Sequence, residues 1–397
     1  MAKIRALLLI FMAFILISLL IYVSKMIYNS KVANQRPFIE FVNLSRYFNG
    51  RHVAFILRYD DVSLVCSNEN SYRYIETATT LANEYGIKVV LAVITRWPPK
   101  YGVLTPFNSR DEEFIRKASL FNEIASHSRW HTRPPRSIED VVGSFVDIEY
   151  YLFNGNYKLL TYVYPFGAYD NNDLKYMKIF GVPIGMSFKV VGVIRNPWSE
   201  SAEFWKHLPL TRILSYYKLP HNKSKLKSLI IKDFIKASRI HGLIIYITHP
   251  TKLNWPNKSI MVKYLKVIFS VISRFSNVTW FTTPGELYSY IVIAKHTVVK
   301  LLSYNSTTTV FKVCTYNLPT EIWKVPITLV FKVNNVNAKN NIMIYVDNRK
   351  LFKGDYSNIG VRGNYHEFYR LIDDYVYVSI VIPFNKCTVL TFRVSRH

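Results

Sequence analysis

Two adjacent carboxylates, Asp60 and Asp61, follow a short apolar run, Val53 to Leu57, in the stretch HVAFILRYDDVS, His52 to Ser63. The run reads as a buried strand, and in parallel sheets chemistry gathers beyond the carboxyl ends of strands. An Asp-Asp pair at such an exit can divide the labour, one side chain holding a metal while its neighbour works as a base. The same dipeptide also fits a polar turn after a core strand. A second candidate is EIASHSRWH, in which His127 and His131 stand four apart after a strand end. On one helical turn they share a face, and two imidazoles so placed can grip one divalent cation. With Asp61 they make a two-histidine, one-carboxylate set that leaves positions open for water and substrate. The third candidate is YVYPFGAYD, where a strand runs into Pro165-Phe166-Gly167. That rigid turn can present a backbone N–H to a developing oxyanion. The fourth is LIIYITHP, in which His249 closes a fully apolar strand. A polar ring is costly there unless it is used or hydrogen-bonded.

Positioning these groups requires a regular frame, and from about residue 50 to 290 strand-like and helix-like segments alternate. Val53–Leu57, Ile87–Ile94, Asn122–Ser126, Leu159–Tyr164, Val182–Phe188, Leu243–Thr248 and Val278–Thr282 read as strands. Ser71–Tyr85, Arg110–Leu120, Ser137–Phe153, a stretch from Asp170, Ser224–Ile240 and Ser259–Phe275 read as helices, with Gly86 and Ser137 as caps. That order predicts an α/β domain with a mostly parallel sheet, open or closed into a barrel. From about residue 297 the texture changes to period-two segments such as TTTVFKVCTY, ITLVFKVNNV and TVLTFRV. They predict a small all-β, sandwich-like domain of about a hundred residues. The expected division is therefore residues 1–36 as anchor and connector, 37–296 as the α/β domain and 297–397 as the sandwich.

Composition narrows the partners. Lys and Arg number 51 against 26 acids, a formal net charge of +25. Such a balance suits nucleic acid, an anionic membrane surface or an acidic polymer. The basic residues are spread thinly, with no dense run, zinc-finger spacing or RNA-binding aromatic signature, so nucleic acid is not the expected partner. Ala6 to Val23 is eighteen residues without a charge, just long enough to span a hydrocarbon core, and no small-x-small cleavage site follows it. We read it as an uncleaved signal anchor, placing the chain on the cell membrane as a single-pass protein with its bulk outside. Five Asn-x-Ser/Thr sites, at Asn43, Asn222, Asn257, Asn277 and Asn305, permit that location. Cys314 and Cys387 could pair outside the cell, leaving Cys66 free, and three cysteines without CxxC spacing make a thiolate metal site improbable.

Taken together, strand-Asp-Asp, strand-HSxxH, strand-Pro-Phe-Gly and strand-His resemble the polysaccharide deacetylase family, the NodB-homology domain, over about residues 50–290. The resemblance implies a distorted (β/α) barrel and metal-dependent removal of N- or O-acetyl groups from a glycan. It places Asp60 on the catalytic base, Asp61, His127 and His131 on the metal ligands, and His249 on the general acid. Phe166, after Pro165, matches the oxyanion-hole position. The expected cofactor is a divalent metal, Zn²⁺ first, and the expected partner is an acetylated glycan. The family's first motif usually continues with Gly, where this chain has Val62. Its third motif usually carries a base-orienting Arg, where Val163 stands here. Its Asp-Trp motif has no evident counterpart, though Trp198, Trp205, Arg195 or Arg212 could supply a groove wall or a substitute cation. These departures leave an alternative in which the same fold is an inactive, membrane-anchored glycan-binding or structural module.

Overall fold

Unbroken runs of Val, Ile and Leu carry no polar face, so they need cover on both sides, which a sheet wrapped by helices provides. The computed structural model describes residues 15–25, 37–64, 69–96, 106–252, 254–334, 341–354 and 367–394. After β1 (Ile39–Leu44) the chain enters a parallel sheet with β2 (Val53–Ser63), β3 (Val89–Ile94), β4 (Glu123–Ser126), β5 (Thr161–Val163) and β6 (Ile184–Val190). It continues with β7 (Leu208–Leu210), β8 (Arg212–Ile213), β9 (Leu243–Thr248) and β10 (Thr279–Phe281). The order is β7-β6-β5-β4-β3-β2-β9-β8, with β10 on the start of β2. Because β7 pairs with β6 while the directly following β8 pairs with β9, residues 208–213 bring the two edges together into a nearly closed barrel. This short bridging pair lacks a strand-like pattern of useful length, so the sequence did not announce it. Helices Glu69–Glu84, Ser109–Ala118, Ile138–Val146, Asn171–Phe180, Lys223–Ile240 and Lys258–Ile272 follow strands as expected.

The C-terminal strands are β11 (Thr297–Tyr304), β12 (Thr308–Thr315), β13 (Ile327–Val333), β14 (Ile342–Val346) and β15 (Arg349–Lys350). They continue as β16 (Phe352–Lys353), β17 (Phe368–Ile372), β18 (Tyr375–Ile380) and β19 (Cys387–Val394). They make two five-stranded sheets, β11-β12-β19-β14-β15 and β1-β13-β18-β17-β16. Phe311 and Phe392 of the first sheet meet Phe331 of the second at ring-centroid distances of 5.0 and 4.7 Å, so the sheets face each other across an aromatic core. Cys314 and Cys387, opposite one another in the β12–β19 pair, are joined as a disulfide. Cys66 lies outside the described residues.

Two expectations change. The boundary at residue 37 does not separate the domains, because β1 pairs antiparallel with β13 and so belongs to the sandwich. Its six residues alternate too briefly to be told from the connector by pattern. Between the two halves lies a helix that periodicity did not reveal, Pro284–Lys295. Thr283 caps it and Pro284 opens it, but it is buried almost all round and thus lacks a polar stripe. Trp323 seals this junction: its indole N–H donates to the Lys158 carbonyl at 2.9 Å, and its backbone N–H to Ser289 Oγ at 2.9 Å. Of the expected membrane span, residues 15–23 are described and helical, while residues 6–14 lie outside the described set. Among the described residues no helix is long and apolar enough to cross a membrane.

Candidate metal centre

The Asp60-Asp61 pair sits on an irregularity in β2, where the register with β3 shifts between Tyr59 and Val62. Asp61 takes φ 60°, in the left-handed region that non-glycine residues enter at a cost. The kink sends the two neighbouring carboxylates to different partners. It also accounts for Val62: the left-handed position is Asp61 itself, and Val62 is a buried residue paired with Val93. No glycine is required there.

His127 and His131 converge, though not on a helical turn. They lie on an irregular loop after β4, with Ser128 at φ 64° and His131 at φ 54°. Side chains from neighbouring elements hold that loop. Asp140 accepts the Trp130 N–H at 2.7 Å, and Asp147 binds the Arg129 guanidinium through Nε at 2.9 Å and Nη2 at 3.0 Å. Ser128 Oγ accepts the His131 N–H at 2.8 Å. His127 Nδ1 faces the Val163 carbonyl at 2.8 Å, and a proton held on Nδ1 leaves Nε2 as a lone-pair donor.

The three donor atoms form a nearly equilateral triangle. His127 Nε2 and His131 Nε2 lie 3.3 and 3.2 Å from Asp61 Oδ1, and 3.2 Å from each other. Tetrahedral bonds of about 2.0–2.1 Å require ligand atoms about 3.3–3.4 Å apart, so the triangle fits one face of a zinc-type site. Asp61 Oδ1 is buried with no hydrogen-bond donor, an arrangement that a cation would satisfy. Burial opposes ionisation of Asp61, but the contacts to His127 and His131 and the charges of His127 and His249 outweigh it. The carboxyl is held well below the usual carboxylate range. Among the described residues this is the one such cluster of metal-capable donors.

The other expected residues gather around this triangle. His249 Nε2 is 3.6 Å from Asp61 Oδ2, and the side chain keeps 19 % exposure. Phe166, at φ 58°, lays its ring 4.5 Å from that of His131 and is 48 % exposed. The turn is clamped from below by buried Arg136, which donates to the Pro165 carbonyl at 3.1 Å and pairs with Asp173 at 2.7 Å. Gly167 is needed as glycine: a Cβ there would stand 2.4 Å from Phe188 Cβ, with φ already +68°.

Sequence reasoning missed Arg58. Its Nε lies 2.7 Å from Asp60 Oδ1, its Nη2 donates to Asp60 Oδ2 at 2.8 Å, and both side chains are fully buried. Nη1 donates to the Ser187 carbonyl at 3.2 Å. The signal was present, a charged residue inside an otherwise apolar strand two places before the Asp pair. Phe188 was missed as well. Its ring lies 5.1 Å from the Arg58 guanidinium carbon and stacks on His249 at 5.7 Å and 20°. Three of the four residues weighed as substitute cations or walls go elsewhere: Arg212 pairs with Asp233, Trp205 packs edge-on against Tyr288, and Trp198 edge-on against Tyr290.

No family model and no curated protein matches the sequence. Solved structures do match. One, described as a polysaccharide deacetylase from Mycobacterium smegmatis, aligns over 65 % of this chain and 94 % of its own at 12 % identity and a TM-score of 0.40. A family 4 carbohydrate esterase from Streptomyces lividans, in complex with acetate, aligns over 60 % and 92 % at 8 % identity and 0.32. A family 4 pseudoenzyme from Bacillus anthracis aligns over 60 % and 65 % at 13 % and 0.34. The chain is similar to polysaccharide deacetylases. At such identities and TM-scores, what the centre can do rests on its own side chains. A guanidinium does stand against Asp60, from Arg58 on the same strand rather than from position 163, which is Val.

Proposed function

We propose that the chain is a metal-dependent hydrolase that removes acetyl groups from a glycan. The observation that carries this reading is the Asp61–His127–His131 triangle beside the buried Arg58–Asp60 pair. Two imidazoles and one carboxylate suit Zn²⁺ with positions left open. When bound, such an ion polarises the acetyl carbonyl and makes water more acidic. The protein's own groups do the rest. Asp60, oriented by the Arg58 fork, accepts the proton of the attacking water. The backbone N–H of Phe166 supports the oxyanion as the carbonyl carbon becomes tetrahedral. His249 delivers a proton to the departing nitrogen or oxygen as the C–N or C–O bond breaks, giving acetate and a free amine or hydroxyl. The half-exposed Phe166 ring, with the Arg133 guanidinium 4.6 Å from its centroid, borders the space where a sugar would lie.

A second reading has one observation in its favour. Asp60 is wholly shielded from solvent, whereas Asp61 and His249 are not. A base that water never reaches would leave a metal-held glycan-binding module. One experiment separates the two: metal analysis of the purified chain with acetate release from N-acetylated and O-acetylated oligosaccharides. Hydrolysis predicts about one metal per chain and acetate release, lost in Asp60→Ala with the metal retained and in His127→Ala with the metal gone. Binding of metal and glycan without acetate release favours the second reading, and a folded, metal-free protein defeats both. The compartment we propose is the cell exterior, with the N-terminal apolar run as tether, supported by a disulfide that reducing cytosol disfavours.

A further inference from the structure

Lys and Arg are spread thinly along the sequence, but two neighbouring helices gather them. The helix Lys223–Ile240, KSKLKSLIIKDFIKASRI, and the helix Lys258–Ile272, KSIMVKYLKVIFSVI, together hold one acid, Asp233. Lys and Arg outnumber acids 51 to 26 over the whole chain and nine to one on these two helices. Asp233 is already engaged, by the Arg212 guanidinium at 2.7 Å and by the Tyr246 hydroxyl at 2.7 Å. The helices pack side by side, and Phe234 of the first stacks at 4.8 Å on Phe275, just beyond the second. They follow β8 and β9, so both start on the side of the barrel that holds the metal centre and run down its flank.

Helical spacing lines the cations up. With 3.6 residues per turn, Lys225, Lys232, Lys236 and Arg239 fall within about 60° of one face and span about 21 Å. All four are exposed, turned away from Leu226, Ile230, Phe234 and Ala237, which the barrel buries. On the second helix Lys263 and Lys266 are likewise exposed, away from buried Met261, Leu265 and Ile268. Lys232 and Lys236 stand four apart, Lys236 and Arg239 three apart, and Lys263 and Lys266 three apart, spacings at which like charges repel. Among the described residues none of these six cations has an acidic partner. A polyanion laid across them turns the repulsion into attraction. Rows of this length suit an extended chain. Ile235 is the one large apolar residue exposed on the two helices, so the surface lacks the side chains that sink into a lipid layer. No aromatic ring on either helix is exposed to stack on a base. Ser228, exposed between Lys225 and Lys232, adds a hydroxyl that suits a sugar.

We propose that these two helices form a docking surface for an extended acidic polysaccharide, its carboxylates lying along Lys225, Lys232, Lys236 and Arg239 and along Lys263 and Lys266. Holding the polymer here does not depend on what the metal centre catalyses. The test is calorimetric titration of the full chain, at one low salt concentration, with polygalacturonate, neutral dextran, oligothymidylate, and phosphatidylcholine vesicles with and without phosphatidylglycerol. Saturable binding of polygalacturonate is expected, with weaker binding of the oligonucleotide and none of dextran. Charge reversal in Lys232→Glu/Lys236→Glu, and separately in Lys263→Glu/Lys266→Glu, should weaken it by about tenfold or more, because ion contacts carry the affinity. Lys300→Glu/Lys312→Glu, an exposed cross-strand pair on the sandwich, removes the same net charge and should weaken it by less than about threefold. Asp61→Asn should leave it unchanged. Every substituted lysine is exposed, so the variants keep the fold, which unchanged melting temperatures verify. Absence of polygalacturonate binding, equal binding of dextran, or tighter binding of the oligonucleotide would overturn the proposal. So would equal losses in the sandwich and helix variants, or vesicle binding that needs phosphatidylglycerol and is lost in the helix variants.

Discussion

A guanidinium has a fixed fork that meets a carboxylate at two points, and Lys cannot reproduce it. In this chain that fork decides how the Asp60-Asp61 pair is divided: Asp60 is tied down by Arg58, while Asp61 turns towards the histidines. Arg58→Lys keeps the buried charge but loses one of two contacts. We expect acetate release to fall by about 10- to 100-fold, the range for partners that orient a site's reacting groups, with metal stoichiometry unchanged. Loss of the metal in this variant would show that Arg58 serves the scaffold instead. At this scale the sequence was informative about residue types and poor about partners. Asp61, His127 and His131 were legible because few side chains ligate metals. Arg58 was not, because a strand's pairing register and kink decide whether a side chain two places away can reach back. The Asn-x-Ser/Thr pattern had a second meaning too. Asn222 and Asn257 cap the helices that follow them, accepting backbone N–H groups, which is reason enough for Asn at both positions.

Among the elements, the barrel strands were readable from their buried Val, Ile and Leu runs, and the helices between them from caps and spacing. The failures share a cause: β1, β7, β8 and the helix Pro284–Lys295 are too short or too uniformly buried to show a period. That helix brings a further feature to the junction. Glu123, at the start of β4, accepts the Gly285 N–H at 2.9 Å and a hydroxyl from Thr161. Burial pushes its carboxyl up to about 7 against those hydrogen bonds, helped by the charge of Glu286. The folded-state value thus lies above the unfolded one, so the protonated group favours folding. This contribution is complete below about pH 4.5 and is lost as pH rises through 7. Glu123→Gln keeps the shape without the ionisation. Between pH 4.5 and 8 the stability of the wild type should decline by about 3 kcal/mol relative to the variant. Denaturant midpoints at the two pH values measure it, and a constant difference between the proteins would refute the assignment.

At the scale of the molecule, the chain order and the domain order disagree, and this has consequences for what can fold alone. The sandwich takes one edge strand from residues 39–44, before the barrel begins, and rests on a helix from the barrel's end. Its disulfide closes a separation of 73 residues, which on a chain-entropy account contributes about 4 kcal/mol. Reduction should therefore lower the stability of the full chain measurably without dismantling the barrel. A fragment of residues 297–397 keeps the disulfide but lacks β1. Its β13 would then present Ile327–Val333 as an open edge, and Phe331 would lose the Phe41 ring that now lies 5.5 Å away. Long apolar edges of this kind recruit other chains. Trp323, deprived of Lys158 and Ser289, would add an exposed indole. We expect the oxidised fragment to aggregate or to unfold without a cooperative transition, whereas the chain from residue 37 onward is monomeric and melts cooperatively. Size-exclusion chromatography and circular-dichroism melts of the two decide it. A monomeric 297–397 fragment with a sharp melt would mean that β1 merely decorates the sandwich, and that the domain boundary read from the sequence at residue 297 is a boundary in stability as well.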